Sequence, residues 1–146
     1  MNHETHYRKL ERMYLRANIN TALFPSTRIR IEKGWSEVQL DITDEYHHAL
    51  GALHGSVYFK LLDDAAFFAA NSMVKDVFVL TASFHIEFLR PVSVGGLKAV
   101  GKLISTGDQH LMAGSAIYNA DGKKIGFGEG EFAYSKVQLS KDIGYY

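Results

Sequence analysis

Polar and apolar residues change rhythm several times along this 146-residue chain, and each change marks an element. Tyr7, Leu10, Tyr14, Leu15 and Ile19 recur close to helical spacing. They predict a helix over residues 7–18 that packs on a neighbour. After Pro25 the rhythm becomes alternation: Ile29 and Ile31 sit between Arg28, Arg30 and Glu32, then Val38, Leu40 and Ile42 follow with Glu37, Gln39 and Asp41 between and before them. This reads as a two-stranded hairpin turning near Lys33-Gly34, with one apolar and one wet face on each strand. Residues 56–73 break the pattern, being rich in Ala, Leu and Phe and free of Gly and Pro. They predict a second helix, with Ser56 able to cap its start. Lys60, Asp63, Asp64, Phe67 and Asn71 fall on one stripe of that helix, and the rest of its surface is apolar. The helix should therefore be wrapped by protein on most sides, with one narrow polar seam.

Alternation returns from Val77. Ala82, Phe84, Ile86 and Phe88 alternate with Thr81, Ser83, His85 and Glu87 until Pro91 ends the run. A turn at Gly95-Gly96, a strand over 97–104, another over 110–118, a turn at Asn119-Ala120-Asp121-Gly122 and a strand over 123–134 follow. An Asp-Gly turn between alternating segments is a strong hairpin signal. The order is helix, two strands, buried helix, then about four strands, counted along the chain. Strands joined by hairpins give an antiparallel sheet. One apolar helix on the apolar face of such a sheet is an α+β domain.

Length and composition narrow the function. The chain is one domain's worth of residues, 1–146, and 47% of it is apolar, enough for an ordinary core. It has no cysteine, which removes disulfides, thiolate metal sites and cysteine nucleophiles. Its formal charge is zero, so no basic surplus offers itself to nucleic acid. Arg28, Arg30 and Lys33, interleaved with Ile and Glu, read as the exposed side of a strand. No apolar run is long enough to span a bilayer, and residues 1–10 are too polar for a signal peptide. The expectation is a soluble, cytoplasmic protein.

The segment from His48 to Ala65 carries the chemistry. His54-Gly55-Ser56 opens the buried helix, where free backbone N–H groups and a positive dipole end face outward. Gly55 has no side chain to block a carbonyl, so its N–H is a candidate oxyanion donor. Asp63 lies nine residues after His54, about 13 Å along the axis. One subunit cannot readily bring both groups to one carbonyl, whereas two such helices paired antiparallel across a dimer can. Asp63 would then serve as general base for water or as nucleophile.

Leu50-Gly51, His54-Gly55 and Asp63, nine residues beyond that His, resemble the signature of hotdog thioesterases of the phenylacetate-degradation type. The resemblance continues through Leu80 to Pro91 and through Asp121-Gly122-Lys123, covering residues 38–134. It implies the hotdog fold, a curved antiparallel sheet around one central helix, which other α+β rolls would also satisfy by element order. It further implies an acyl-CoA thioesterase without metal or cofactor, and sites lying between the subunits of a homodimer or of a homotetramer built as a dimer of dimers. Thr81 matches the hydroxyl that positions the water. Two positions depart from the signature: His48 replaces an Asn six residues before His54, and Ser56 replaces a second Gly. His48 can still donate a hydrogen bond to a thioester or water. Phe67 is a candidate for lining an acyl pocket, Ser56 and Arg90 for touching substrate, and Arg90, Lys98, Lys102 and Lys123 for holding phosphates of coenzyme A.

Structural readings stand beside these. Asp63 could pair with Lys60. Asp64, four residues after Lys60, is a natural ion-pair partner, and it points about 100° away from Asp63, so the two acids do not form a dyad. His54 could simply orient the loop. His47, His48 and His54 lack a convincing acidic partner for a metal. His85 and Glu87 share the wet face of a strand. The functional alternatives are a non-catalytic acyl-CoA or lipid-binding module, motivated by His48, and an acyl-CoA dehydratase, whose usual His-and-acid motif is absent.

Overall fold

The computed structural model describes residues 2–146; Met1, the first residue of the expected domain, lies outside the described residues. Helix α1 (His3–Arg16) starts at Asn2, whose side chain accepts the Thr5 N–H at 2.8 Å. Its buried face carries His6, Tyr7, Leu10, Met13 and Tyr14. The helix expected over 7–18 thus begins a turn earlier. It stops at Ala17, and a second, six-residue helix α2 (Asn18–Leu23) follows. Strands β1 (Arg28–Glu32) and β2 (Trp35–Asp41) form the expected hairpin, with Gly34 in the left-handed conformation at φ 63°. Arg28 and Arg30 are exposed, as their alternation requires.

After α3 (Gly55–Asn71) come β3 (Val77–Phe88), β4 (Gly96–Thr106), β5 (His110–Tyr118) and β6 (Lys124–Gln138). The six strands form one antiparallel sheet in the order β1-β2-β4-β5-β6-β3. At the β5–β6 turn the Asn119 side chain accepts the N–H groups of Asp121 and Lys123, both at 3.0 Å, and Gly122 takes φ 79°. Between β2 and β3 the chain passes over the sheet through α3, from one side to the opposite edge.

Helix α3 touches all six strands. Six strands laid flat would span roughly 24 Å, about twice a helix diameter. The sheet therefore has to curve around α3. Close approach makes that possible. A Cβ built on Gly101 of β4 would lie 2.1 Å from the Ala65 carbonyl oxygen of α3. Ser36 and Ser115 donate to the α3 carbonyls of Ala65 and Leu62, each at 2.7 Å. Opposite, Gly126, Gly128 and Gly130 of β6 leave the inner face bare, and the Phe84 ring lies across Gly128 and Gly130.

Two details of α3 differ from expectation. Its cap is His54, whose Nδ1 accepts the Ser56 N–H at 3.0 Å and meets the Ser56 hydroxyl at 2.8 Å, so Ser56 sits inside the first turn. The single polar seam is also divided. Asn71 is fully buried, donating to the Val74 and Val77 carbonyls and accepting the Val79 N–H, so it ties the end of α3 to β3. Phe67 packs against Phe68, Phe78 and Phe132 and is buried. Polar residues on one stripe met different neighbours because the sheet, β3 and α1 each cover a different arc.

Gly101→Ala should destabilise the protein by about 1–3 kcal/mol or more, since neither the strand nor the α3 carbonyl can yield a full ångström. Gly96→Ala, whose Cβ meets only a carboxylate oxygen of Asp41 at 3.6 Å, should cost less than about 1 kcal/mol. Thermal or urea unfolding of the two variants checks the contrast.

Candidate active site

Asp63 sits on the stretch of α3 that faces the inner side of β3. Thr81 of the same chain donates to its Oδ1 at 2.8 Å. Strict alternation would put Thr81 on the wet face with Ser83, His85 and Glu87. A bulge between Thr81 and Ser83 changes this. It adds Ala82 to one side of the β3–β6 pairing and reverses the phase of the strand, so Val79 and Thr81 face inward before it and Phe84 and Ile86 after it. Ala82, expected on the apolar face, is exposed. His85 and Glu87 are exposed and bond to each other.

Asp63 and Thr81 lie in an open groove of about 1240 Å³. Its walls come from the α1–α2 corner, from α3 and β3, and from the C-terminal segment. Phe67, Phe68 and Phe78 make an aromatic floor, and Ile19, Leu80 and Val137 form an apolar rim. Burial in these surroundings pushes the Asp63 carboxyl up from 3.8 to about 6. The Thr81 hydrogen bond opposes that rise, Asp64 adds to it and Lys60 reduces it.

Lys60 does not pair with Asp63. Its ammonium donates to Asp64 at 2.9 Å, to the Tyr14 hydroxyl at 3.1 Å and to Asn20 at 2.7 Å. The Tyr14 hydroxyl donates in turn to Asp64 at 2.6 Å. Together these bonds join α3 to the α1–α2 corner. Helical spacing pointed to the Lys60–Asp64 pair; it gave no sign of the bonds to Tyr14 and Asn20, because α2 is too short to show a period.

The other expected site residues are distributed around this centre. Ser56 lines the groove, and so does Phe67, whose ring is mostly in the core. Gly55 is eight residues from Asp63, about 12 Å along the helix. As the first helical residue its N–H has no partner within the helix, and the Phe88 ring stands 3.3 Å from where its Cβ would be. His54 is exposed and occupied as the cap. His48 does not line the groove; its Nδ1 accepts the Leu50 N–H at 3.1 Å, stiffening the loop ahead of α3. Arg90 is exposed at the end of β3, where its carbonyl accepts the Tyr58 hydroxyl at 2.7 Å, close to the start of α3. One chain thus brings Asp63 and Thr81 together, with Phe67 in the same groove; Ser56 lines the groove's other end, at the start of α3 beside Gly55 and His54, and His48 and Arg90 do not line it. Among the described residues, no group of three or more His, Asp or Glu converges as metal ligands would, and no helix is long and apolar enough to cross a membrane.

The raised Asp63 carboxyl has a consequence for stability. A carboxyl whose folded value, about 6, exceeds the unfolded 3.8 favours the fold in its neutral form. That contribution is complete below pH 3.8 and is lost as pH rises through 6. Above this window the ionised, half-buried group destabilises the native state. Asp63→Asn should therefore raise stability at pH 8 by about 1–2 kcal/mol, allowing for partial exposure, and change little at pH 4. Thermal unfolding at the two pH values measures the difference.

Known proteins share parts of this sequence and the fold. A 1,4-dihydroxy-2-naphthoyl-CoA hydrolase of Listeria monocytogenes is 32% identical over 80 residues, 54% of this chain and 65% of its own. A Saccharolobus solfataricus protein with a provisional esterase name is 27% identical over 92 residues, 63% of this chain and 61% of that one. The aligned part thus spans roughly three-fifths of the length of these curated relatives. The solved structure of the E. coli PaaI protein, from the phenylacetic acid degradation operon, matches with a TM-score of 0.83 at 22% identity, covering 94% of this chain and 98% of that one. The fold is the hotdog architecture that the signature implied. The family model described as the thioesterase superfamily matches residues 50–125, just over half of the sequence, and the chain belongs to that superfamily.

Proposed function

We propose that the protein hydrolyses an acyl-CoA thioester, with Asp63 as the general base. The observation that carries this reading is the Asp63–Thr81 pair, an acid that, among the described residues, bonds no cation and lies in an apolar groove. An acid whose proton is held to about pH 6 is ionised at neutral pH and still basic enough to take a proton from water. Thr81 fixes one carboxylate oxygen and leaves the other for that water. The acyl group lies along Phe67, Phe68 and Phe78, in the apolar part of the groove.

The reaction also needs a donor for the oxygen that becomes negative. The Gly55 N–H suits this role, but about 12 Å of helix separates it from Asp63 in the same protomer. In the proposed assembly a second copy brings its Gly55 to this Asp63. Strand β3 supports such pairing: it is an edge of the sheet with an unpaired side, and Leu80 and Phe88 on it are 52% and 55% exposed. Hydroxide formed at Asp63 attacks the carbonyl carbon. The resulting oxyanion is held by the partner's amide, and its collapse expels the coenzyme A thiolate, which takes up a proton. Ser56 and Arg90, at the helix start, sit on the side where the coenzyme portion would leave.

A panel of acyl-CoA and aryl-CoA substrates should release free thiol, at a rate that rises with pH through about 6 and then levels off. Asp63→Asn should lower kcat by about 10²–10⁴-fold. Because that variant is expected to be the more stable protein at pH 8, lost turnover would not reflect unfolding. Full activity in Asp63→Asn would overturn the assignment, and binding without turnover across the panel would point to an acyl-carrying module instead.

A further inference from the structure

Lys60 lies three residues before Asp63 and four before Asp64, so its ammonium is within helical reach of either acid. All three of its N–H donors are taken elsewhere, by Asp64 at 2.9 Å, Tyr14 at 3.1 Å and Asn20 at 2.7 Å. The Tyr14 and Phe24 rings face the same charge at 5.1 and 4.8 Å. Asn20 is itself fixed, donating to the Tyr14 carbonyl at 2.7 Å. Its cage comes from both sides, α3 through Asp64 and the α1–α2 corner through Tyr14 and Asn20. Among the described residues, Asp63 is left with one hydrogen bond, from Thr81.

We propose that Asp64, with Tyr14 and Asn20, is a positioning group that holds the Lys60 ammonium off Asp63, and that Asp63 remains an unpaired carboxylate only while Lys60 is so held. The inference rests on Asp63 being the base of the proposed reaction. Without Asp64, the nearest anion for Lys60 is Asp63 itself. A Lys60–Asp63 pair would fill the oxygen that otherwise faces water and would make the acid a weaker base.

The groups around Asp63 are few. On α3 they are Lys60 and Asp64; α1 brings Tyr14 and Arg16; the C-terminal turn brings Asp142; β3 contributes no titratable side chain to the groove. Asp64 and Lys60 are the charges that act on Asp63, in opposite directions.

The test compares the full-length protein with Asp64→Asn, Lys60→Met and the double variant, by carbon NMR titration of the Asp63 carboxyl and by the pH–rate profile for acyl-CoA hydrolysis. Asp64→Asn should lower the Asp63 midpoint by about one unit or more, move the acid limb of the profile with it, and reduce kcat about tenfold with KM little changed. Lys60→Met should move the midpoint upward. The double variant removes the charges together, so its midpoint should return close to the original and most of the lost kcat should recover. Met at position 60 keeps contact with the Tyr14 and Phe24 rings, and Asn at 64 can still accept from Tyr14, so the helices stay joined. A purely structural role predicts the opposite, with the double variant at least as impaired as Asp64→Asn. That result, or an unchanged Asp63 midpoint in Asp64→Asn, overturns the proposal. If even the unsubstituted protein hydrolyses no acyl-CoA, the proposed function fails, while the carboxyl titrations still decide whether Asp64 restrains Lys60.

Discussion

A carboxylate drawn out of water must find a cation, collect hydrogen bonds or give up its charge, and the architecture around α3 is organised by how each of its acids meets that demand. Asp64 finds a cation. Asp63 has one hydroxyl and the fringe of solvent in the groove. The sheet cannot relax this constraint, because its strands approach the helix backbone closely enough for a Cβ at Gly101 to collide with a carbonyl. Polar side chains of α3 are therefore restricted to the arcs that the sheet leaves to β3, to the groove and to the N-terminal helices. Chemistry becomes possible at the place where the enclosure is incomplete.

Much of this was legible in the sequence because periodicity reports directly on which faces are covered. The β1–β2 hairpin, the apolar character of α3 and the Asn119–Gly122 turn each follow from residue spacing or turn chemistry. The His54-to-Asp63 interval, through the resemblance, singled out the acid that the structure places in the groove, and helical geometry separated it from Asp64. What escaped had specific physical causes. A single extra residue at Ala82 inverts the phase of β3, and alternation cannot reveal where a bulge falls, so alternation alone puts Thr81 on the wrong face of its strand, whereas the resemblance points to its hydroxyl. Helix α2 is shorter than two turns and has no period to read. His54 took the cap because its imidazole nitrogen reaches the Ser56 amide, a role that propensity assigns first to hydroxyl and short polar side chains. The polar stripe of α3 was identified correctly as a set of positions, but its members part company according to the tertiary neighbour each one meets. Periodicity specifies direction around a helix and says nothing of what stands there.

The N-terminal helices change meaning in this light. Periodicity marked α1 as packing on a neighbour without naming it. Through Tyr14 it is bonded to the same turn of α3 that carries the candidate base, and through Met13 and Tyr14 it walls the groove. Asn20, the buried residue of α2, closes the cage from the other side. The peripheral helices therefore serve as part of the site's electrostatic surroundings as well as of its shape.

The bulge at Ala82 divides β3 into two segments with independent phase. Upstream of it, Thr81 faces inward and bonds the acid; downstream, the Phe84 ring covers the bare Gly128 and Gly130 of β6. Side chains in the second segment can be exchanged for larger or smaller ones without rotating the first, so the lining of the sheet can drift while the hydroxyl stays aimed. Loss of one residue between the segments would couple them again and turn one of the two outward. Insertions and deletions at this spot are thus far more consequential than substitutions, and the bulge behaves as a joint between the hydroxyl's aim and the packing beyond it.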